Sequence, residues 1–214
     1  MTGMDLLEYL EKEFGKNEPI FEEEIENNEV RVRLKMSQHL VREGWIAEYS
    51  ENIYYIPIQT PFGRSTLSPN KIYEKKYVRN KLGVIGYYSG IKLLNLMGLT
   101  TQVPNILEIA TNKATEDKQR VKEGYTSIEL KKPVVEVTKE NVDTLQLLEA
   151  VAVMQSKTYY KLNDDNVREI FKTYLANHII TRQDIEKYVL YYPENVKNEL
   201  YESGLINDLN LPCK

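Results

Sequence analysis

Residues 28–57 read NEVRVRLKMSQHLVREGWIAEYSENIYYIP, and the fold assigned to the chain turns on how this stretch is taken. At about 100° per residue, Arg31, Lys35, Gln38 and Arg42 share one side of a helix. Val30, Leu34, Met36, Leu40 and Val41 gather on the opposite half, with Arg33 the one charge out of place. Alternation of Val30, Val32, Leu34 and Met36 with Arg31, Arg33 and Lys35 also fits a half-buried strand, but that pattern ends at Met36. A helix accounts for the chain as far as Arg42 and uses Asn28 as its N-cap, so a single helix is expected. Gly44 suits the left-handed position that closes a helix. Beyond it, residues 46–49 and 53–56 are β-branched and aromatic runs around Ser50, Glu51 and Asn52. This predicts a hairpin, ended by Pro57, which has no N–H to give a ladder. Leu40 and Trp45 are expected to hold helix and hairpin onto the segment before them.

That segment carries Leu6, Leu7, Leu10 and Phe14 at helical spacing, with Gly15 as a stop. After Pro19, Phe21 and Ile25 predict a short second helix bearing Glu22, Glu23, Glu24 and Glu26, and Asn27-Asn28 supplies a turn. Helix, short helix, turn, basic-faced helix and hairpin, in that order, predict a winged helix-turn-helix. In such a module the basic-faced helix enters the major groove of double-stranded DNA and the wing lies on the neighbouring backbone. The expected DNA-contacting residues are Arg31, Lys35, Gln38, Arg42 and the wing tip Ser50, Glu51 and Asn52.

Residues 59–68, QTPFGRSTLS, break the composition and read as a linker, dividing a winged helix over 1–60 from a second domain over 61–214. There, Ser68-Pro69 opens a helix to about residue 80, with Lys71, Lys75, Lys76 and Arg79 turned outward or toward a partner. Another helix spans 89–97, and residues 106–109, 127–130 and 134–137 read as strands. From Asn141 the chain turns helical, with stripes at Leu145, Leu148, Val151 and Ala152 and at Val167, Ile170, Phe171, Tyr174 and Leu175. Thr181–Asp184 resembles a capping box, and Val196, Leu200 and Tyr201 mark a last helix stopping at Gly204. The expected class is α+β: an N-terminal winged helix followed by a mixed α/β domain with C-terminal helices.

Composition narrows the function. With 42% hydrophobic and 28% charged residues over 214 positions, the chain reads as globular. No run approaches the length of a membrane span, and the N-terminus shows no signal-peptide pattern. The one cysteine, Cys213, fits a reducing cytoplasm. Net charge is −7 over residues 1–60, +7 over 61–132 and −4 over 133–214. An acidic first third opposes DNA binding, although its carboxylates lie mostly before the basic helix. His39 and His178 stand far apart without a cysteine pair, so no metal, cofactor or catalytic site is expected. Asp164-Asp165 precedes a helix and reads as an N-cap, and Gly83–Gly86 matches a phosphate-gripping GxxG loop only superficially.

Two stretches carry a family resemblance. MSQHLVREGWIAEYSENIYYIP (36–57) resembles the helix–Gly–wing segment of bacterial AbiEi-like antitoxins, the regulators of abortive-infection toxin–antitoxin pairs. VIGYYSGIKLLNLMGLTTQVPNILEIATNK (84–113) resembles the start of their second domain, where an aromatic-Ser-Gly precedes a helix ending in Gly-Leu-Thr-Thr-Gln-Val-Pro. The resemblance implies a non-enzymatic transcriptional regulator acting in phage defence. Its winged helix would repress its own operon by binding operator DNA, and its second domain would counteract a co-encoded toxin. The alternative is a protein-interaction module whose winged helix does not bind DNA.

Overall fold

The computed structural model describes residues 3–81, 83–123, 126–156, 162 and 164–210; Cys213 lies outside them. The chain divides into two units, Met1–Lys76 and Tyr77–Lys214.

In the first unit Leu6 and Leu10, one turn apart on helix α1 (Gly3–Phe14), are buried, and Gly15 ends the helix at φ +84°. Strand β1 (Ile20–Phe21) and a single 3-10 turn, Glu22–Glu24, follow where a second helix is expected. The reason is tertiary. Ile20 lies opposite Tyr54 and Phe21 opposite Ile53, so this segment completes a sheet with strands β2 (Ala47–Ser50) and β3 (Ile53–Tyr55) in the order β1-β3-β2. A two-stranded hairpin alone is marginal in water, and the third strand offsets the absent helix.

Between β1 and β2 lie helices α2 (Asn28–Met36) and α3 (Gln38–Glu43). The expected single helix is broken at Ser37, whose ψ is 37°. Its hydroxyl donates to the Arg33 carbonyl one turn back, a bond that competes with the helical ladder and bends it. The apolar face is therefore not continuous: Val30, Leu34 and Leu40 are buried, whereas Met36 is 75% and Val41 36% exposed. Asn27, not Asn28, is the cap, its Oδ1 accepting from the backbone N–H of Glu29 (2.9 Å) and of Val30 (3.3 Å). Leu40 packs in one core with Leu6, Leu10, Ile46 and Tyr54, as expected. Trp45 does not join it and is 53% exposed.

Residues 59–68 are not a free linker. They form a hairpin of strands β4 (Gln59–Thr60) and β5 (Gly63–Arg64), and Arg64 donates to the Glu43 carbonyl at 2.7 Å. Gly44 accommodates this: at φ +73° it is left-handed, and a Cβ there would sit 1.4 Å from Arg64 Nη1. Helix α4 (Pro69–Tyr73) follows, with proline at its first turn. Residues 61–76 group with the first unit.

The second unit opens with strands β6 (Arg79–Asn80) and β7 (Gly83–Val84). It then builds a mixed sheet from β8 (Gly86–Ser89), β9 (Leu107–Thr111), β10 (Lys118–Glu123) and β11 (Thr126–Lys131), in the order β10-β11-β9-β8. Only β11 and β9 run parallel. Helix α5 (Gly90–Leu96) links β8 to β9, and α6 (Val142–Ser156), α7 (Asp165–Asn177), α8 (Arg182–Tyr188) and α9 (Glu194–Glu202) follow. Leu145, Leu148, Val151, Phe171, Ile185 and Leu200 share one core with Tyr87 and Ala110 of the sheet. Asp164 caps α7 and the Thr181–Asp184 capping box is formed. Residues 134–137 are not a strand. Val137 is pinned instead by Asn112, which accepts from its N–H at 2.8 Å and donates to its carbonyl at 2.9 Å. Gly83–Gly86 spans two strands rather than forming a loop before a helix.

Candidate nucleic-acid interface

On α2 the buried Val30 and Leu34 fix which way the remaining side chains point. Arg31 and Lys35, one turn apart, are carried to the side facing the β2–β3 turn. Together with Glu22, Glu51, Asn52 and Lys76 they line a cleft of about 360 Å³. Asn52 takes a left-handed conformation (φ +64°) at the turn, a geometry asparagine tolerates. Of the seven residues expected to meet DNA, the structure brings Arg31, Lys35, Glu51 and Asn52 into this one cleft. Gln38 and Arg42 stand on α3, beyond the break at Ser37, and Ser50 is exposed at the end of β2.

The cleft is not uniformly basic. Lys35 Nζ lies 2.9 Å from Glu22 Oε1, and the Arg31 guanidinium donates to Asn28 Oδ1. Glu22 is 9% exposed, and its Oε2 is buried without a hydrogen-bond partner among the described residues. Burial, then the neighbouring Glu48 and Glu22 carboxylates, raise the pKa of the Tyr54 phenol beside this cluster.

The acidic first third is largely answered from within its own unit. Lys71 Nζ bonds Glu18 Oε1 at 2.5 Å and the Asn17 carbonyl at 2.9 Å. Lys75 lies 2.7 Å from Glu24 Oε2, reaches the Pro19 carbonyl at 2.6 Å and sits over the Phe14 ring at 5.0 Å. These two lysines are therefore turned onto the acidic segment rather than outward. No sequence signal marks the pairing, since more than fifty residues separate the partners. Residues 1–76 carry ten cations against fourteen carboxylates, a net of −4, yet residues 28–43 carry four cations against two. The helix pair is a positive locus on an acidic unit.

In the second unit the polar group that sequence reasoning missed is Glu149 on α6, 6% exposed. It accepts from Ser89 Oγ at 2.6 Å and from the Lys131 ammonium. Tyr87 and Tyr192 lie beside it, and burial holds both phenols well above the ordinary tyrosine range, with the Glu149 charge adding to the effect. Ser89 is fully buried, so this cluster orders the interior and offers no nucleophile to solvent. Among the described residues no group of three His, Cys, Asp or Glu side chains is placed to hold a metal ion, and no helix is long and apolar enough to cross a membrane. His178 stacks on Tyr174 with ring centroids 4.0 Å apart. No family model matches the chain, and no curated protein matches it.

Proposed function

We propose that residues 1–76 form a winged helix-turn-helix that binds double-stranded DNA, and that the chain is a transcriptional regulator of the antitoxin type, repressing its own operon and counteracting a co-encoded toxin. The observation that carries the DNA-binding part is the cleft beside the β2–β3 turn, where Arg31, Lys35 and Lys76 stand among Glu22, Glu23 and Glu51. The element order α1-β1-α2-α3-β2-β3 and the strand order β1-β3-β2 support it, because a helix beside a hairpin is how such modules meet groove and backbone together. The antitoxin part rests on the resemblance in residues 36–57 and 84–113 alone.

A titration of the full chain and its Arg31→Ala/Lys35→Ala/Arg42→Ala variant against the DNA upstream of its gene, at several salt concentrations, tests the assignment. Each phosphate that a removed cation no longer neutralises lowers the slope of log affinity against log salt by about one. Equal affinities and equal slopes sink the assignment. Co-expression with the neighbouring gene tests the antitoxin part: rescue of growth from a toxic neighbour is expected, and a neighbour that is harmless alone removes it.

A second reading, a winged-helix module that binds protein, is favoured by Val32 and Met36, which are 56% and 75% exposed on α2 and line a groove of about 660 Å³ with Leu6 and Gly3 of α1.

A further inference from the structure

Strand β10 is one end of the four-stranded sheet: β11 lies on one side of it, and among the described residues no strand lies on the other. Half of its backbone N–H and C=O groups therefore point out of the sheet, a row with which an extended chain can pair. The opposite end, β8, is only four residues long and has Gly86, Tyr87 and Ser89 buried. β10 runs for six residues, and its two faces differ. Lys118, Arg120 and Lys122 are exposed, whereas Gln119 and Val121 between them are half-buried. Register carries each face across the sheet: Val121 lies opposite Ile128, which neighbours Leu107, while Arg120 lies opposite Glu129 and Lys118 opposite Lys131. The cationic face is answered only in part from within. Glu129 lies 3.3 Å from Lys118 Nζ and 3.8 Å from Arg120 Nε, and Lys131 bonds Glu149. One carboxylate shared by two cations leaves both largely in solvent, Lys118 at 68% and Arg120 at 67%. Glu116 and Asp117, exposed in the turn before the strand, bound the cationic stretch at its start.

We infer that β10 receives an extended strand of a partner protein in which Asp or Glu alternates with apolar residues. Main-chain hydrogen bonds to the free edge hold the strand in place. Its acids fall beside Lys118, Arg120 and Lys122, and its apolar residues beside Val121 extend the row that runs through Ile128 and Leu107. Lysine on a free edge ordinarily keeps edges apart. Here it does so for like edges: in-register pairing of β10 with the β10 of a second copy sets cations against cations, and that repulsion leaves an acidic strand as the edge's complement. About six residues of partner, roughly 20 Å, match the edge in length. The inference concerns the second unit and is independent of DNA binding by the first.

The test uses the full chain and, as probe, a displayed library of random linear peptides of about eight residues, long enough to span the edge. Enriched peptides are then synthesised. They are expected to alternate Asp or Glu with Val, Ile or aromatic residues, and their binding is expected to protect the amides of residues 118–122 from hydrogen exchange. Lys118→Glu/Lys122→Glu should bind the same peptides about tenfold more weakly, because two favourable cross-strand pairs become like-charge pairs, and should enrich lysine-containing peptides in its own selection. Both side chains are exposed, so the variant's thermal midpoint should match wild type, and a lowered midpoint is met by repeating the comparison with Lys122→Glu alone. Enrichment of no peptide, of peptides without acids, or of peptides whose affinity the reversal leaves unchanged overturns the inference. Protection that falls outside β10 and β11 overturns it too. A random-sequence DNA duplex that displaces the peptide and protects residues 118–122 in its place assigns the row to phosphate contact and overturns the inference. A dimer in light scattering that the reversal abolishes assigns the edge to contact between copies, with the same result.

Discussion

The two units place their ion pairs differently. In the first, carboxylate–ammonium pairs join separate elements, from the exposed Glu18–Lys71 to the largely buried Glu24–Lys75, with Glu22–Lys35 between them. In the second, one carboxylate, Glu149, is taken into the core between sheet and helix and satisfied there by Ser89 and Lys131, with Tyr87 and Tyr192 alongside. An exposed pair such as Glu18–Lys71 contributes little stability and rearranges readily. A buried carboxylate whose Oε1 accepts from both Ser89 and Lys131 is costly to disturb because removal of one partner strands the others.

The widest separation between the units is expected at alkaline pH. Burial raises the phenols of Tyr87, Tyr174 and Tyr192 above their ordinary values, so the folded second unit binds those protons more tightly than the unfolded chain. The stability this provides is complete below the ordinary tyrosine pKa of about 10 and disappears as pH rises through the elevated folded values. In the first unit Tyr54 is shifted in the same direction. Trp45 is the sole tryptophan and lies in the first unit. Tyrosinate absorbance and the second unit's larger share of the helical circular dichroism should therefore change at a lower pH than tryptophan fluorescence. Coincident transitions would erase the contrast.

Leu40→Ala should remove about 2–5 kcal/mol from the first unit, because this 6% exposed side chain is packed against Leu6 and Leu10. The fluorescence-detected urea midpoint should fall, and the dichroism-detected transition should shift only in the part contributed by α1 to α4. Glu149→Ala is expected to do the reverse by about 2–3 kcal/mol; Lys131 keeps 21% side-chain exposure and can turn to water, which trims the full cost of a broken buried pair. A Glu149→Ala chain as stable as wild type would reduce the polar cluster to an incidental contact. Cap removal gives smaller changes, about 1 kcal/mol for Asn27→Ala in the first unit and for Thr181→Ala in the second, each read by its own signal. Glu22→Gln should leave stability nearly unchanged, release Lys35 and steepen the salt dependence of DNA binding by about one unit. An unaltered slope would show that Lys35 gains no phosphate when Glu22 is neutralised.

Local chemistry was legible wherever one residue or one short spacing decides the backbone. The closing glycines at 15, 44, 98 and 204 are all left-handed, the Thr181–Asp184 capping box is formed, and the hairpin around Ser50, Glu51 and Asn52 is present. These features depend on φ preferences and on hydrogen bonds spanning three or four residues, which a sequence states directly.

What tertiary structure decided lies where partners are far apart or where a strand has no alternation to show. Ile20-Phe21 became a strand because β3 was there to receive it. Lys118–Glu123 is mostly charged and became an edge strand by pairing with β11, while residues 134–137, apolar enough for a strand, found no neighbour to pair with and were held by Asn112 instead. Ser37 broke the basic helix through one hydroxyl bond, which separated Gln38 and Arg42 from the cleft that holds Arg31 and Lys35. The sequence determined the local turns, caps and amphipathic faces, since their energies are set within a few residues; pairing of strands, burial of Glu149 and the neutralising of the acidic segment by Lys71 and Lys75 depended on long-range contacts whose partners no spacing encodes.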